Sequence, residues 1–205
     1  MISVTKLSCT RGDRVLFRDL SFSLSPGELM HLKGKNGSGK TTLLRSLCGL
    51  FLPQDGEISW DDTNIRSLGE DYRRKVVYLG HLNGIKDDLT ALENLKVAAV
   101  LDGDEVTQDQ VWAALDKIGL AGFEDLPTRV LSQGQKRRVA LARLLLTNSP
   151  FWILDEPFTA LDAAAVELLQ SIIADHVAAG GMVIVTTHQE VALTTGQVRQ
   201  LQLGN

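Results

Sequence analysis

Residues 34–41 of this 205-residue chain read GKNGSGKT and match the pattern G-x-x-x-x-G-K-[ST]. The apolar run Leu29–Leu32 precedes them and the helical pattern Thr41–Cys48 follows, which predicts a strand, a glycine-rich loop and a helix. Glycines allow backbone N–H groups to turn inward around phosphate oxygens at the positive end of that helix. A chance glycine-rich turn would not need the flanking strand and helix, so we predict a phosphate-binding loop.

The side chains of this loop suit a nucleoside triphosphate and its metal ion. Lys40 supplies a point charge for the β- and γ-phosphates, the Thr41 hydroxyl suits Mg²⁺, and Thr42 can add a phosphate contact. The expected nucleotide-binding residues of the loop are Gly34, Lys35, Asn36, Gly37, Ser38, Gly39, Lys40, Thr41 and Thr42.

A second motif, Phe151–Glu156, is an apolar run that ends in two carboxylates. Asp155 at the carboxyl end of a strand can reach Mg²⁺ directly or through water. Glu156 is then placed to polarise an attacking water molecule. An apolar strand followed by two acids is weak evidence alone, but together with the phosphate loop it indicates phosphoryl transfer to water.

The order of the remaining patterns predicts the fold class. Further strands are predicted at Ile2–Leu7, Leu20–Leu24, Gly56–Trp60, Val76–Leu79 and Met182–Thr186. Helices are predicted from Thr90, which Glu93 completes as a capping box, at Val111–Ile118, from Ser132 to Leu146 and at Ala163–Ala179. This order predicts an α/β P-loop NTPase with a parallel core sheet, an antiparallel β edge subdomain and an inserted α-helical subdomain. We expect one domain over residues 1–205, with residues 1–84 and 148–205 forming the core and residues 85–147 the helical subdomain.

Composition narrows the possible partners. The net charge of −4 gives no electrostatic reason to expect nucleic acid or an anionic membrane surface as the main partner. The sequence has no apolar run near the roughly 20 residues that span a bilayer, and its N-terminus does not resemble a signal peptide. We therefore expect a cytoplasmic chain that only a partner would hold at a membrane.

The segment Leu131–Gln135 reads LSQGQ and is predicted to begin a helix, whose N-terminal amides form an anion site. A simple N-cap would explain Ser132 but not the glycine and glutamine that follow. The segment resembles the signature motif of ATP-binding-cassette (ABC) proteins. Ala160-Leu161-Asp162 resembles their D-loop, and His188 resembles their switch histidine. With the phosphate loop and the acidic strand end, these motifs cover nearly the whole chain.

The resemblance implies a head-to-tail homodimer that encloses two ATP molecules. Each ATP would contact the phosphate loop of one chain and Ser132, Gln133 and Gly134 of the other. Gln135 and Asp162 are also expected among the nucleotide-binding residues. The resemblance further implies that Glu156 and His188 hold the attacking water while Lys40 and Mg²⁺ stabilise charge.

Two positions depart from the usual ABC pattern. Arg11 occupies the place of an aromatic residue that stacks on adenine, and a guanidinium plane can also stack on a base; a solvated loop residue is the alternative. His81 occupies the place of a glutamine that touches Mg²⁺ or the attacking water. We expect His81 to contact the metal site and to report phosphate occupancy to the following loop, with a plain strand-end cap as the alternative.

A narrower resemblance lies in Gly80–Lys86, in Leu89–Leu95 and in Gly119–Pro127. These segments resemble the ATP-binding subunits of the bacterial cytochrome c maturation system, often called the haem exporter. The resemblance implies a peripheral subunit at the cytoplasmic face of the inner membrane, which powers haem export or release of a haem chaperone. Its partners would be an integral membrane permease that contacts the region His81–Lys86 and other haem-handling membrane proteins. Without a CxxCH motif, direct haem binding is not expected. The alternatives are the ATPase subunit of another ABC exporter and a soluble ABC assembly ATPase.

Overall fold

The structure is a computed structural model that describes residues 1–12, 14–188 and 197–204. The strands are β1 (Ile2–Arg11), β2 (Arg14–Leu24), β3 (Glu28–Gly34), β4 (Asp55–Trp60), β5 (Thr63–Asn64), β6 (Val76–Leu79), β7 (Phe151–Asp155), β8 (Met182–Thr186) and β9 (Gln197–Leu203). The α-helices are α1 (Lys40–Leu47), α2 (Ile65–Leu68), α3 (Glu70–Arg73), α4 (Ala91–Asp102), α5 (Gln108–Lys117), α6 (Gln133–Ala142) and α7 (Ala163–Ala178).

Two sheets form the framework of the fold. The core sheet has the order β6-β7-β8-β3-β9, and all of its pairs are parallel. The edge sheet has the order β2-β1-β4-β5, and its pairs are antiparallel. Every residue of β7 and β8 is buried, as expected for parallel strands that are covered on both faces. Helices α4, α5 and α6 are inserted between β6 and β7, and the predicted fold class is confirmed.

Three apolar clusters hold these layers together. The first packs the edge sheet and α1 against one face of the core sheet, and the second packs α7 against the other face. The third lies inside the helical insertion and includes Leu95, Leu115 and Val139. Because fully burying one such side chain contributes about 1.5–3 kcal/mol, this separate cluster stabilises the insertion as a packed unit of its own.

The helices of the insertion begin where side chains satisfy their first N–H groups. The Thr90 hydroxyl accepts a hydrogen bond from Glu93 N, and the Glu93 carboxylate accepts one from Thr90 N, which confirms the predicted capping box. Thr107 and Gln110 form a second box, which starts α5 three residues before the predicted Val111.

The structure corrects several predicted boundaries. Helix α6 ends at Ala142 rather than Leu146, and a 3₁₀ turn follows over Arg143–Leu145. At this turn the Arg143 guanidinium pairs with Asp102 at the end of α4. The strand β9 was not predicted, because its polar residues suit an edge position beside β3 and give little hydrophobic signal. Helices α2 and α3 were also missed, since four residues are too few to show a helical period.

Candidate active site

A cavity of about 440 Å³ lies at the carboxyl ends of the core strands, where ligands gather in parallel sheets. Its lining includes most of the predicted site residues: Arg11, Lys35, Asn36, Gly37, Gly39, Lys40, Thr41, Thr42, His81, Asp155, Glu156 and His188. Leu16 also lines the cavity and was not predicted. Residues from five separate parts of the sequence therefore meet around one space.

The phosphate loop obtains its shape from glycines in conformations that other residues rarely adopt. Gly37 and Gly39 have φ values of 76° and 99°, in the left-handed region. A Cβ on Gly39 would lie 3.0 Å from Leu16 Cβ, so this position also lacks room for a side chain. Lys40 begins α1, and its ammonium donates to the Gly34 carbonyl at 2.6 Å. The cation is thus held directly over the loop that would surround the phosphates.

Oxygen ligands suited to Mg²⁺ stand side by side next to the loop. The Thr41 hydroxyl donates to Asp155 Oδ2 at 2.9 Å, and the Thr186 hydroxyl donates to Asp155 Oδ1 at 2.7 Å. Hydroxyl and carboxylate oxygens are the donors that Mg²⁺ prefers. Among the described residues no group of three or more His, Cys, Asp or Glu could hold a metal by itself. Thr41 and Asp155 therefore offer oxygen atoms of the kind that Mg²⁺ binds.

Glu156 combines a strained backbone with a carboxylate that is only partly satisfied. Its φ of 53° is unusual for a residue with a side chain, and its N–H donates to the Thr186 hydroxyl at 2.9 Å. One carboxylate oxygen, Oε2, accepts from His188 N at 3.2 Å. The other, Oε1, is buried, makes no hydrogen bond with any described residue and lies 3.5 Å from His188 Nε2. This oxygen therefore keeps an unused hydrogen-bond acceptor beside an imidazole that is 58% exposed.

The signature residues lie elsewhere. Ser132 caps α6 by accepting from Gln135 N, and the Gln135 side chain accepts from Ser132 N. Neither of them, nor Gln133 and Gly134 between them, lines the 440 Å³ cavity of the described chain. Gly134 packs against the segment that resembles the D-loop, because a Cβ there would lie 3.2 Å from the Ala160 carbonyl oxygen.

Asp162 also stands outside the cavity and works as a helix cap. Its carboxylate accepts from Ala165 N at the start of α7 and pairs with Arg138 at 2.6 Å. The hydrogen bond from Ala165 and the neighbouring guanidinium lower the pKa of Asp162. One chain therefore brings together the phosphate loop, Asp155, Glu156, His188, His81 and Arg11, but leaves the signature and Asp162 apart from them.

Sequence reasoning missed several residues that shape the site. Thr186 bridges Asp155 and Glu156, and its place at the end of a parallel strand was an available signal. His31 on β3 is half-buried, and burial lowers the pKa of its imidazole. Arg137 on α6 is buried and contacts the backbone at Glu156. Arg137 stands three and four residues before the buried Ala140 and Leu141, so helical periodicity already placed a cation on the apolar face.

A second cavity of about 310 Å³ lies between the core sheet and the helical insertion. It shares Thr41, His81 and Asp155 with the first cavity, and the loop from Gly80 to Ile85 forms one of its walls. His81 therefore stands between the two cavities, and its exposed side chain reaches both.

Together, the phosphate loop, the acidic strand end and a helical insertion whose helix α6 begins in the LSQGQ segment define an ATP-hydrolysing cassette. The sequence model of the ABC transporter family matches residues 17–159, and the chain belongs to this family. A solved dimeric structure of a bacterial ABC transporter cassette is 26% identical, with a TM-score of 0.86 over 98% of this chain and 94% of that one.

Among curated proteins, the chain is similar to cytochrome c biogenesis ATP-binding export proteins CcmA. The protein of Nitrosomonas europaea is 61% identical over 99% of this chain and 95% of its own length. The protein of Dechloromonas aromatica is 54% identical over the full length of both. Within the ABC transporter family, the chain thus falls with these export ATPases, and the narrower resemblance found in the sequence is confirmed.

Proposed function

We propose that the chain hydrolyses ATP at the cytoplasmic face of a bacterial inner membrane to power an export step of c-type cytochrome maturation. The name shared by the most similar relatives, cytochrome c biogenesis ATP-binding export protein, supports the process. The step would be haem export or the release of haem from, or onto, a periplasmic haem chaperone. The described chain has no helix long and apolar enough to cross a bilayer, so the proposal requires a membrane-spanning partner.

The observation that carries the hydrolytic assignment is the buried, unpaired Oε1 of Glu156 beside His188 and the phosphate loop. A water molecule between Glu156 and His188 attacks the γ-phosphorus in line, and the bond to the β–γ bridging oxygen breaks. The electron pair leaves with ADP, and the proton of the water passes to the Glu156 carboxylate as phosphate forms. Lys40 stabilises the charge on the transferred group.

Three side chains at the edge of the cavity would bind the metal ion. Thr41 and Asp155 would hold Mg²⁺ between the nucleotide and the sheet, with His81 as an outer contact. When bound, the ion neutralises charge on the β- and γ-phosphate oxygens. Thr186 keeps the Asp155 carboxylate oriented toward this position through its own hydrogen bond.

The nucleotide would lie between two copies of the chain. The solved cassette that resembles this chain is a dimer, and the signature residues lie outside the chain's own cavity. In a head-to-tail pair, Ser132, Gln133, Gly134 and Gln135 of one copy face the phosphates bound by the other, with Asp162 beside them. The positive end of α6 then adds a favourable field for the triphosphate.

The permease would dock on the loop that includes His81–Lys86. Leu82 in this loop is 84% exposed, and Gly84 has a φ of 66° with no neighbour around its missing Cβ. An exposed apolar side chain beside a conformationally free residue suits a contact that changes during a cycle. Other haem-handling membrane proteins would join through the permease rather than by haem binding to this chain.

The test uses the whole system in a bacterium whose own gene for this chain is deleted. We expect loss of c-type cytochromes, measured by covalent haem staining, and recovery with the wild-type chain but not with Glu156→Gln. Glu57→Gln, on the exposed surface of β4, is the matched control and restores them. Purification in detergent should bring down an integral membrane subunit, identified by mass spectrometry. Normal cytochromes in the deletion strain would refute the proposal, and the partner recovered would then separate another exporter from an assembly ATPase.

A further inference from the structure

Arg137 on α6 is a buried cation, and only 4% of its surface is exposed. Its guanidinium donates to the backbone carbonyl oxygens of Gly80 at 3.1 Å, Glu156 at 2.8 Å and Pro157 at 3.3 Å. It also donates to Asn83 Oδ1 at 3.1 Å. The guanidinium therefore binds two loops at once: the one after β6 that carries His81 and the one after β7 that carries Glu156.

The way this charge is compensated makes the arrangement rigid. Burial lowers the pKa of Arg137, although the nearby Asp155 and Glu156 carboxylates favour the charged form. A buried cation is tolerated only when its donors are paired. With the Asp155 carbonyl at 3.5 Å included, four of the five acceptors that Arg137 contacts are backbone carbonyls. Arg137 cannot leave either loop without burying an unpaired charge, so a displacement of α6 is transmitted to both loops.

The contact with Glu156 is made at the peptide group that determines where its carboxylate points. The Glu156 backbone has the unusual φ of 53°. Thr186 holds its N–H at 2.9 Å, and Arg137 holds its carbonyl at 2.8 Å. Strained backbones of this kind persist only when the surroundings over-determine them. The Glu156 carbonyl also accepts from Thr159 N at 3.3 Å, so Arg137 is one of three groups that hold this backbone, and it is the one that comes from the helical insertion.

Arg137 also lies close to the signature in the same helix. It follows Ser132 by five positions in α6, which corresponds to about 7.5 Å along the helix axis. A shift or tilt of α6, driven by a nucleotide at its N-terminus or by a membrane partner on the insertion, therefore moves the guanidinium that orients Glu156.

We propose that Arg137 is a positioning residue, which aligns Glu156 and the His81 loop only when the signature helix is correctly seated. It does not line the nucleotide cavity and so does not act on substrate itself. Hydrolysis is thereby made conditional on the position of α6. The inference rests on the proposed role of Glu156 as the base, and it adds the element that switches this base on.

The test compares Arg137→Lys with wild type in the full chain. A lysine keeps the charge but offers a compact ammonium, which cannot span both loops as a planar guanidinium does. We expect kcat to fall about 10- to 100-fold, the cost of misplacing a catalytic group by a fraction of an ångström. The Kd for a non-hydrolysable ATP analogue should change less than about twofold, because the phosphate loop is untouched.

Arg143→Lys is the matched control, since Arg143 directly follows α6 and forms an ion pair with Asp102 away from the nucleotide cavity. It should lower the thermal midpoint while leaving kcat unchanged. The decisive measurement is single-turnover hydrolysis by Arg137→Lys combined with Glu156→Gln. If Arg137 acts through Glu156, the double variant is no slower than Glu156→Gln alone.

Three results would overturn the inference: a kcat for Arg137→Lys like that of Arg143→Lys, equal losses of kcat and ATP affinity, or losses that multiply in the double variant. Should Arg137→Lys not fold, Asn83→Ala applies the same test. Asn83 is a half-buried loop residue, and this change removes one of the acceptors that the Arg137 guanidinium contacts. Its smaller loss of kcat must likewise vanish with Glu156→Gln. Unchanged turnover in Glu156→Gln itself would instead refute the assignment of the base, so the two failures are distinguishable.

Discussion

The phosphate loop and the signature, the two regions that we expect to bind the nucleotide, differ in how much of a site each one forms alone. Around the phosphate loop, Thr41, Asp155, Glu156 and His188 contact one another in pairs at 2.7–3.5 Å or through Thr186. Around the signature, the side chains of Ser132 and Gln135 each accept a hydrogen bond from the backbone N–H of the other residue. The first region is assembled by the fold of one chain, whereas the second is a helix terminus without a ligand partner among the described residues.

This difference indicates a division of labour. Strand ends from distant parts of the sequence converge around the phosphate loop, whereas we expect the signature to act on a nucleotide that is bound by a second copy of the chain. Arg137 joins the two regions, because it belongs to the helix of one and binds the backbone of the other. The following predictions separate the two regions, beginning with the largest expected effect.

Removing the base should stop turnover and spare binding. In Glu156→Gln the amide keeps the shape of the side chain but cannot accept the proton of the attacking water, and we expect kcat to fall about 100- to 10,000-fold. ATP binding, measured by equilibrium dialysis, should be retained, and size-exclusion chromatography should show an ATP-bound dimer that persists. Turnover equal to wild type would show that Glu156 is not the base.

A negative charge in the signature should prevent it from binding the triphosphate, while the phosphate loop of the same chain stays intact. Asp caps a helix as well as Ser does, so Ser132→Asp should keep the fold while placing a carboxylate against the triphosphate of the partner copy. Like charges across an interface cost several kcal/mol, and we expect turnover to fall at least about 100-fold. Ser132→Asn, an equally good cap without charge, is the control and should retain most activity.

Mixing variants tests directly whether the two regions meet across copies. Lys40→Ala disables the phosphate loop and Ser132→Asp disables the signature, so each homodimer should be inactive. In an equal mixture, half of the dimers are mixed and each has one intact site of two, which restores about one quarter of wild-type activity. An inactive mixture in which mixed dimers form would show that the signature acts within its own chain.

His188→Ala should have a smaller effect within the complete region. Its side chain is 58% exposed and lies 3.5 Å from Glu156 Oε1, so in the proposed mechanism it would be one of several groups that hold the water and the γ-phosphate. A loss of kcat of about 10- to 100-fold is expected, the lower range for one group that stabilises developing charge. ATP affinity should be nearly unchanged, and an equal loss of both would indicate a structural role.

The region around the phosphate loop could be predicted from the sequence, because it depends on a local sequence motif and on the order of the strands. The glycine and lysine spacing of the phosphate loop is written in eight consecutive residues, and parallel strands bring their carboxyl ends to one edge. Those two facts are sufficient to place Lys40, Thr41, Asp155 and Glu156 around one space.

Other features could not be predicted because they depend on packing between distant segments. Thr186 and Arg137 act through hydrogen bonds to residues about 20 or more positions away, and one sequence carries no record of such pairs. The strand β9 is polar along much of its length, and its pairing with β3 only becomes visible in three dimensions. Tertiary context, rather than propensity, decides such elements.

The smallest expected effect concerns the base end of the cavity, where Arg11 and Leu16 stand and no described aromatic side chain lines the wall. If the exposed Arg11 guanidinium stacks on adenine, Arg11→Ala should weaken ATP about two- to fivefold, the value of one exposed cation–π contact. Binding of inorganic triphosphate should not change, because this compound has no base. Arg11→Tyr should restore ATP binding, since an aromatic ring offers the same flat face. GTP should follow ATP through the series, because stacking does not distinguish the edges of the two purines.

Arg18→Ala, on the exposed surface of β2 away from this cavity, is the control. Equal weakening of ATP and triphosphate would reassign Arg11 to the phosphates, and no weakening of either would make it a solvated residue at the end of β1.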